Sequence, residues 1–136
     1  MSSVSDIKDQ IKTIMEGVDG VDQAFDNMPR YIDKNISVGV YYSGGSEEHA
    51  EVGSHWAHYE FDIIAFIYMF DETTIQETQE TLCESMLSAL RAEPSLNGTC
   101  LSHIVERWEN SYAQLANGNV YATVEMHLIA DVEEDD

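Results

Sequence analysis

HWAHYEFDIIAFIYMF, residues 55–70, is the stretch on which the fold turns. Ala57, Tyr59, Phe61, Ile63, Ala65, Ile67 and Met69 alternate with Trp56, His58, Glu60, Asp62, Ile64, Phe66, Tyr68 and Phe70. A period of two belongs to a β-strand, because successive side chains point to opposite faces of a sheet. The first half of the stretch has one polar face, and the second half is apolar on both. That pattern predicts a long strand with one face wet at one end and both faces covered at the other. The apolar run from Ile63 to Phe70 is too short to span a bilayer as a helix.

Reading outward toward the C-terminus, Thr74-Ile-Gln-Glu77 has the form of a capping box. It would open a helix over 74–92 whose buried stripe is Ile75, Leu82, Cys83, Met86, Leu87 and Leu90, ended by Pro94 and the turn at Leu96, Asn97 and Gly98. A strand over Thr99–Glu109 and a loop over Asn110–Gly118 follow. In the last strand Val120, Ala122, Val124, Met126 and Leu128 alternate with Tyr121, Thr123, Glu125 and His127. Residues 131–136 are predicted to form a solvated acidic tail.

Reading toward the N-terminus, Ile36–Tyr42 is a strand with Ile36, Val38 and Val40 on one side, and Ser43–Gly53 reads as a turn-rich, charged loop. Ile7, Ile11, Ile14 and Met15 recur at helical spacing, with Ser5 as a cap and Gly17 as a stop. Between helix and strand, Gly20 and Pro29 break the chain around a brief strand near Val21–Phe25. The fold expected is α+β: a mainly antiparallel, four- to five-stranded sheet with two helices packed on one face. One domain over residues 1–130 accounts for the whole pattern. A chain of this size buries enough surface for a core without disulfides or metals.

Twenty-six Asp and Glu face six Lys and Arg, a net charge of −20. On a sphere of radius ~18 Å the self-repulsion is on the order of 15 kcal/mol at 0.1 M salt and ~7 kcal/mol at 1 M. The whole stability of a typical domain is ~5–15 kcal/mol, so the composition points to folding in molar salt, as in a salt-accumulating halophile. Without a Lys/Arg stripe, direct nucleic-acid binding is disfavoured. The carboxylates run from Asp6 to Asp136 instead of concentrating on one element, which disfavours a nucleic-acid mimic. The first residues carry no basic segment followed by an apolar stretch, so an intracellular product is expected.

The chemistry-bearing residues are few. His49, His55 and His58 lie near Glu47, Glu48, Glu51 and Glu60, yet a regular strand sends His55 and His58 to opposite faces, which argues against a metal site. His58, Glu60 and Asp62 share a face, as do Glu125 and His127; this is a general acid–base layout and equally the wet face of any acidic sheet. No nucleophile elbow or phosphate-cradling glycine loop accompanies it, so no catalytic residue, metal or cofactor is expected. Cys83 and Cys100 lack CxxC spacing and read as buried, reduced thiols. Trp56, Tyr41, Tyr42, Trp108 and Tyr112 sit near strand ends and loops, where they serve either core or interface.

The order of elements resembles the tail-terminator and tail-completion proteins of tailed viruses, which close the head-proximal end of the tail tube. The likeness is carried by the strand 55–70, the helix from Thr74, its exit Ala89-Leu-Arg-Ala-Glu-Pro-Ser-Leu-Asn-Gly98, then Tyr112 and the strand Val120–Leu128. The extreme acidity and the Gly/Glu-rich stretch 43–53 depart from that family and would suit a virus of a halophilic archaeon. The resemblance implies a structural virion protein, assembled in the host cytoplasm, that forms a ring, most often of six copies. Its partners would be the tail tube protein and the head–tail connector, with genomic DNA passing the lumen unbound and no membrane involved. The interface expected comprises the strand with Ile36, Val38, Val40 and Tyr42, and the stretch with Gly44, Gly45, Glu47, Glu48, His49, Glu51 and Trp56. To these are added the helix face with Glu77, Glu80 and Glu84, and Tyr112. The alternatives are another neck component, a stopper or adaptor, or a small dimeric α+β enzyme or ligand-binding domain from a halophile.

Overall fold

The computed structural model describes residues 4–27, 32, 34–68 and 70–135, the side chains of Ala50, Glu51 and Asp135 excepted. Met69, Pro29 and Asp136, which entered the readings above, lie outside the described residues. The elements run α1 (Val4–Glu16), β1 (Gln23–Phe25), β2 (Ile36–Glu51), β3 (Ser54–Ile67), α2 (Ile75–Arg91), β4 (Ser102–Gln114) and β5 (Val120–Asp135). They build an α+β fold around one open, mixed five-stranded sheet in the order β1-β2-β3-β5-β4. β1 pairs with β2 in parallel and the other three pairings are antiparallel.

The alternation in 55–70 becomes the centre of this sheet. Phe61, Ile63, Ala65 and Ile67 of β3 join Val124, Met126 and Leu128 of β5 and Val38 and Val40 of β2 in the main core. The same core takes in Ile7, Ile11 and Met15 of α1 and Ile75, Leu82, Met86 and Leu90 of α2, so both helices cover one face. The opposite face has its own smaller cluster of Ile32, Ile64, Phe66 and Tyr121, which is why the second half of β3 had to be apolar on both sides. There Tyr121 donates its hydroxyl to the carbonyl of Ile32 at 3.3 Å and accepts from Asn117 at 3.0 Å.

Several local expectations are corrected. The stretch 43–53 is not a loop: it continues β2 into a long hairpin that turns back at Val52 and Gly53. Ser43 is an extra residue between Tyr42 and Gly44, a β-bulge that reverses which side chains face the helices and so disrupts the alternation a strand should show. Gly45 is required at its position, because a Cβ there would stand 2.8 Å from the carbonyl oxygen of His58. The acidic residues 131–135 are not a free tail either. They extend β5 against Ser54–His58, and Val132 is buried. Charge density alone suggested solvation, but one apolar anchor and a waiting partner strand outweigh it.

The capping box does not form. Thr74 makes no side-chain cap, and Asp71 instead accepts from the amide and hydroxyl of Thr73 at 2.9 and 2.8 Å. Those bonds hold the Asp71 carboxyl below its usual range. Ser5 lies within the first turn of α1, not ahead of it. β4 runs five residues beyond the Glu109 expected as its end, reaching Gln114, so the turn to β5 is short. Cys83 and Cys100 are buried and free, and burial pushes the Cys100 thiol up to about 11.

Candidate functional site

The helix-free face of the sheet is where polar side chains converge. Strand register decides which ones meet: Tyr41 stands opposite Asp62, Asp62 opposite His127, and His127 opposite Arg107, so four strands contribute to one row. The neighbouring rows place Glu125 beside Glu109 and His58 beside Asp131. A shallow hollow of about 260 Å³ lies over this row, walled by Tyr41, Asp62, Arg107, Glu109, Glu125 and His127.

His127, 8% exposed, is bonded at both ring nitrogens: Nδ1 to Asp62 Oδ1 at 2.8 Å and Nε2 to Glu60 Oε1 at 2.6 Å. Both nitrogens carry a proton only in the imidazolium, so this geometry selects the charged form. Burial pulls its pKa down, but the hydrogen bonds to Asp62 and Glu60 outweigh that and raise it. His58 is held similarly, Nδ1 to Asp131 at 2.5 Å and Nε2 to Glu48 at 3.5 Å, and its bond to Asp131 is the largest cause of a raised pKa. Tyr41 is raised by burial and by the charges of Asp62 and Glu125.

An imidazole with carboxylates on both nitrogens has no free lone pair to act as a base. The face therefore works as a set of cross-strand charge clamps: β5 is tied to β3 through His127 and His58. A second clamp sits on the opposite face near the hairpin end. Tyr59 donates to Glu134 at 2.5 Å, which raises the phenol to about 12, and His55 lies 3.3 Å from Glu47 and 3.5 Å from Glu134. Among the described residues no cluster of three or more His, Cys, Asp or Glu side chains is arranged to hold a metal ion. None of the described helices is long and apolar enough to cross a membrane.

The interface residues expected from sequence separate into two groups. The side chains of Val38 and Val40 are fully buried beneath the helices and cannot meet a partner; β-strand alternation alone left open which side would be covered. Ile36 is partly buried against the same core. Tyr42, Gly45, Glu47, Glu48 and His49 are exposed on the hairpin, with Gly44 and Trp56 half-buried. Glu51 contributes backbone to the hairpin's end, and its side chain is outside the described residues. Glu77, Glu80 and Glu84 are exposed along α2, well away from the hairpin in sequence, and Tyr112 is 56% exposed on β4.

Sequence reasoning missed the pairing of His127 with Glu60 and Asp62, and the roles of Asp131 and Glu134. Each depends on register between strands more than sixty residues apart. It also left Trp108 undecided, and missed Leu101, Ile104 and Val120, which the structure leaves exposed along with Trp108 and Tyr112. No protein-family model matches the chain, and no curated protein matches it.

Proposed function

We propose that this chain is a structural virion protein that closes the head-proximal end of a viral tail tube as a ring, ending tube growth and joining the tail to the head–neck connector. The observation that carries the reading is the two-sided character of the sheet. One face is sealed by both helices, while the other, beyond the small cluster around Ile32, Phe66 and Tyr121, is lined by Glu60, Asp62, Glu109, Glu125 and Asp131, whose carboxylates outnumber the basic groups of His58, Arg107 and His127. Such a face turned inward gives a lumen that repels DNA phosphates, so a passing genome does not adhere. The order of elements shared with tail terminators supports the same reading. So does the acidity, which matches a virus assembling in the salt-filled cytoplasm of a halophilic archaeon.

A ligand-binding or catalytic reading draws on the hollow over His127. That hollow, at about 260 Å³, falls below the ~300–1,000 Å³ of ordinary small-molecule sites, and both imidazole nitrogens are already engaged. The test is electron microscopy of the purified chain in multimolar KCl with Mg²⁺. Closed rings of about six copies are expected. A compact dimer enclosing the hollow would overturn the proposal and favour the ligand-binding reading.

A further inference from the structure

The sheet ends in two unlike edges. At one end β4 has no partner among the described residues on its outer side. Leu101, Ile104, Trp108, Tyr112 and Val120, five of the seven large apolar side chains exposed in the described chain, line this end. At the other end β1 covers only Ser37–Gly39, so among the described residues the outer edge of β2 is unpaired from Val40 to Glu51. Uncovered strand edges of this length are templates for further pairing, and a chain that stays soluble must cover or blunt them.

We infer that the β4 edge of one copy takes the β2 edge of a second copy, extending the sheet from subunit to subunit. The inference deepens the ring reading and rests on it. Strand direction fits: β2 and β5 run one way, β3 and β4 the other. Rotation about an axis roughly along the strands keeps all copies pointing alike, and it then sets β4 antiparallel to the next β2 with every helix on the same side. The β4 edge is also the less acidic of the two. Arg91 lines a groove beside Trp108 and Arg107 sits on β4, so two of the chain's six Lys and Arg lie at this edge. They stand against Glu106, which holds Arg107 at 2.9 Å, and Glu109, so the charges at this edge are mixed. The opposing edge carries Glu47 and Glu48, their side chains 70% and 66% exposed.

The symmetric alternatives fit less well. Pairing β2 with β2 would oppose Glu47 and Glu48 to like charges, which is destabilising. Pairing β4 with β4 would leave the β2 edge uncovered. The unlike pairing covers both edges with a single kind of contact, and unlike patches are what a closed ring needs.

The experiment is complementation between two edge variants, read by light scattering after gel filtration in about 2 M KCl, a salt level chosen to screen the surface charge. Trp108→Glu places a charge on the β4 edge. Ser46→Pro and Glu47→Pro are both made, because alternate residues turn their amides outward and one of the pair breaks the β2 edge without touching β3. Variants that keep the wild-type circular dichroism and unfolding midpoint are used. Each should be a monomer alone, and an equimolar mixture of the W108E variant with the proline variant should give a one-to-one dimer and nothing larger. A proline variant that dimerises by itself would mean β4–β4 pairing and overturn the inference. Wild-type rings with no dimer in the mixture would overturn this junction and leave the ring intact. A wild-type chain that stays monomeric at every concentration would overturn both.

Discussion

His127→Gln is the sharpest probe of the helix-free face. The imidazolium donates to Asp62 at 2.8 Å and to Glu60 at 2.6 Å, and the glutamine amide replaces it with a neutral group. A hydrogen bond to a charged group contributes about 1.5–3 kcal/mol. The Glu60 and Asp62 side chains are 34% and 29% exposed, so screening takes a good part of this, and about 2–3 kcal/mol is expected for the pair of bonds. For a domain of this size that is a fall of roughly 10 °C in unfolding midpoint. The pH dependence is the stronger check. The folded pKa of His127 is raised above 6.5, so its stabilisation is complete below about pH 6.5 and is lost as pH climbs through the raised folded value. The gap between wild type and variant should therefore be widest near pH 6 and should shrink by pH 9. His58 titrates in the same sense but is common to both proteins and cancels in the difference. Arg107, which lowers the His127 pKa, and Asp62 and Glu60, which raise it, are likewise unchanged. Thermal unfolding across that pH range at fixed molar KCl measures the gap. A gap that is flat or grows toward pH 9 would refute the clamp.

Four further outcomes are expected. Truncation after Ala130 should cost at least the ~1.5–3 kcal/mol of burying Val132, together with the Asp131–His58 contact, and a midpoint unchanged by truncation would restore the mobile-tail picture. Gly45→Ala should destabilise by about 1–3 kcal/mol, with faster amide exchange in the far half of the hairpin, because the added Cβ meets a backbone carbonyl and not a side chain that can swing away. Gln79→Leu should cost about 1–2 kcal/mol in denaturant unfolding, since the buried amide of α2 donates to the carbonyls of Ser111 at 3.2 Å and Thr123 at 3.0 Å and no apolar replacement can. Raising KCl from about 0.2 M to about 2 M should lift the midpoint by more than ~10 °C through screening of the −20 charge, and a midpoint indifferent to salt would count against a halophilic chain.

What the residues determine by themselves is local. The alternation in 55–70 made β3 a strand with two different halves, and the stripe from Ile75 to Leu90 made α2 a helix with one buried face, because side-chain periodicity follows from backbone geometry within a single element. The acidity is likewise a property of composition and needs no fold to be read. Bulges escape such reading: one extra residue at Ser43 reverses the facing of everything after it, so a strand of the hairpin looked like a loop. The side on which Val38 and Val40 would be buried, the docking of residues 131–135 on β3, and the meeting of His127 with Glu60 and Asp62 were decided only by tertiary structure. Each depends on which strands pair and in what register, and that is settled by long-range burial competing with chain entropy, a balance no short window of sequence contains.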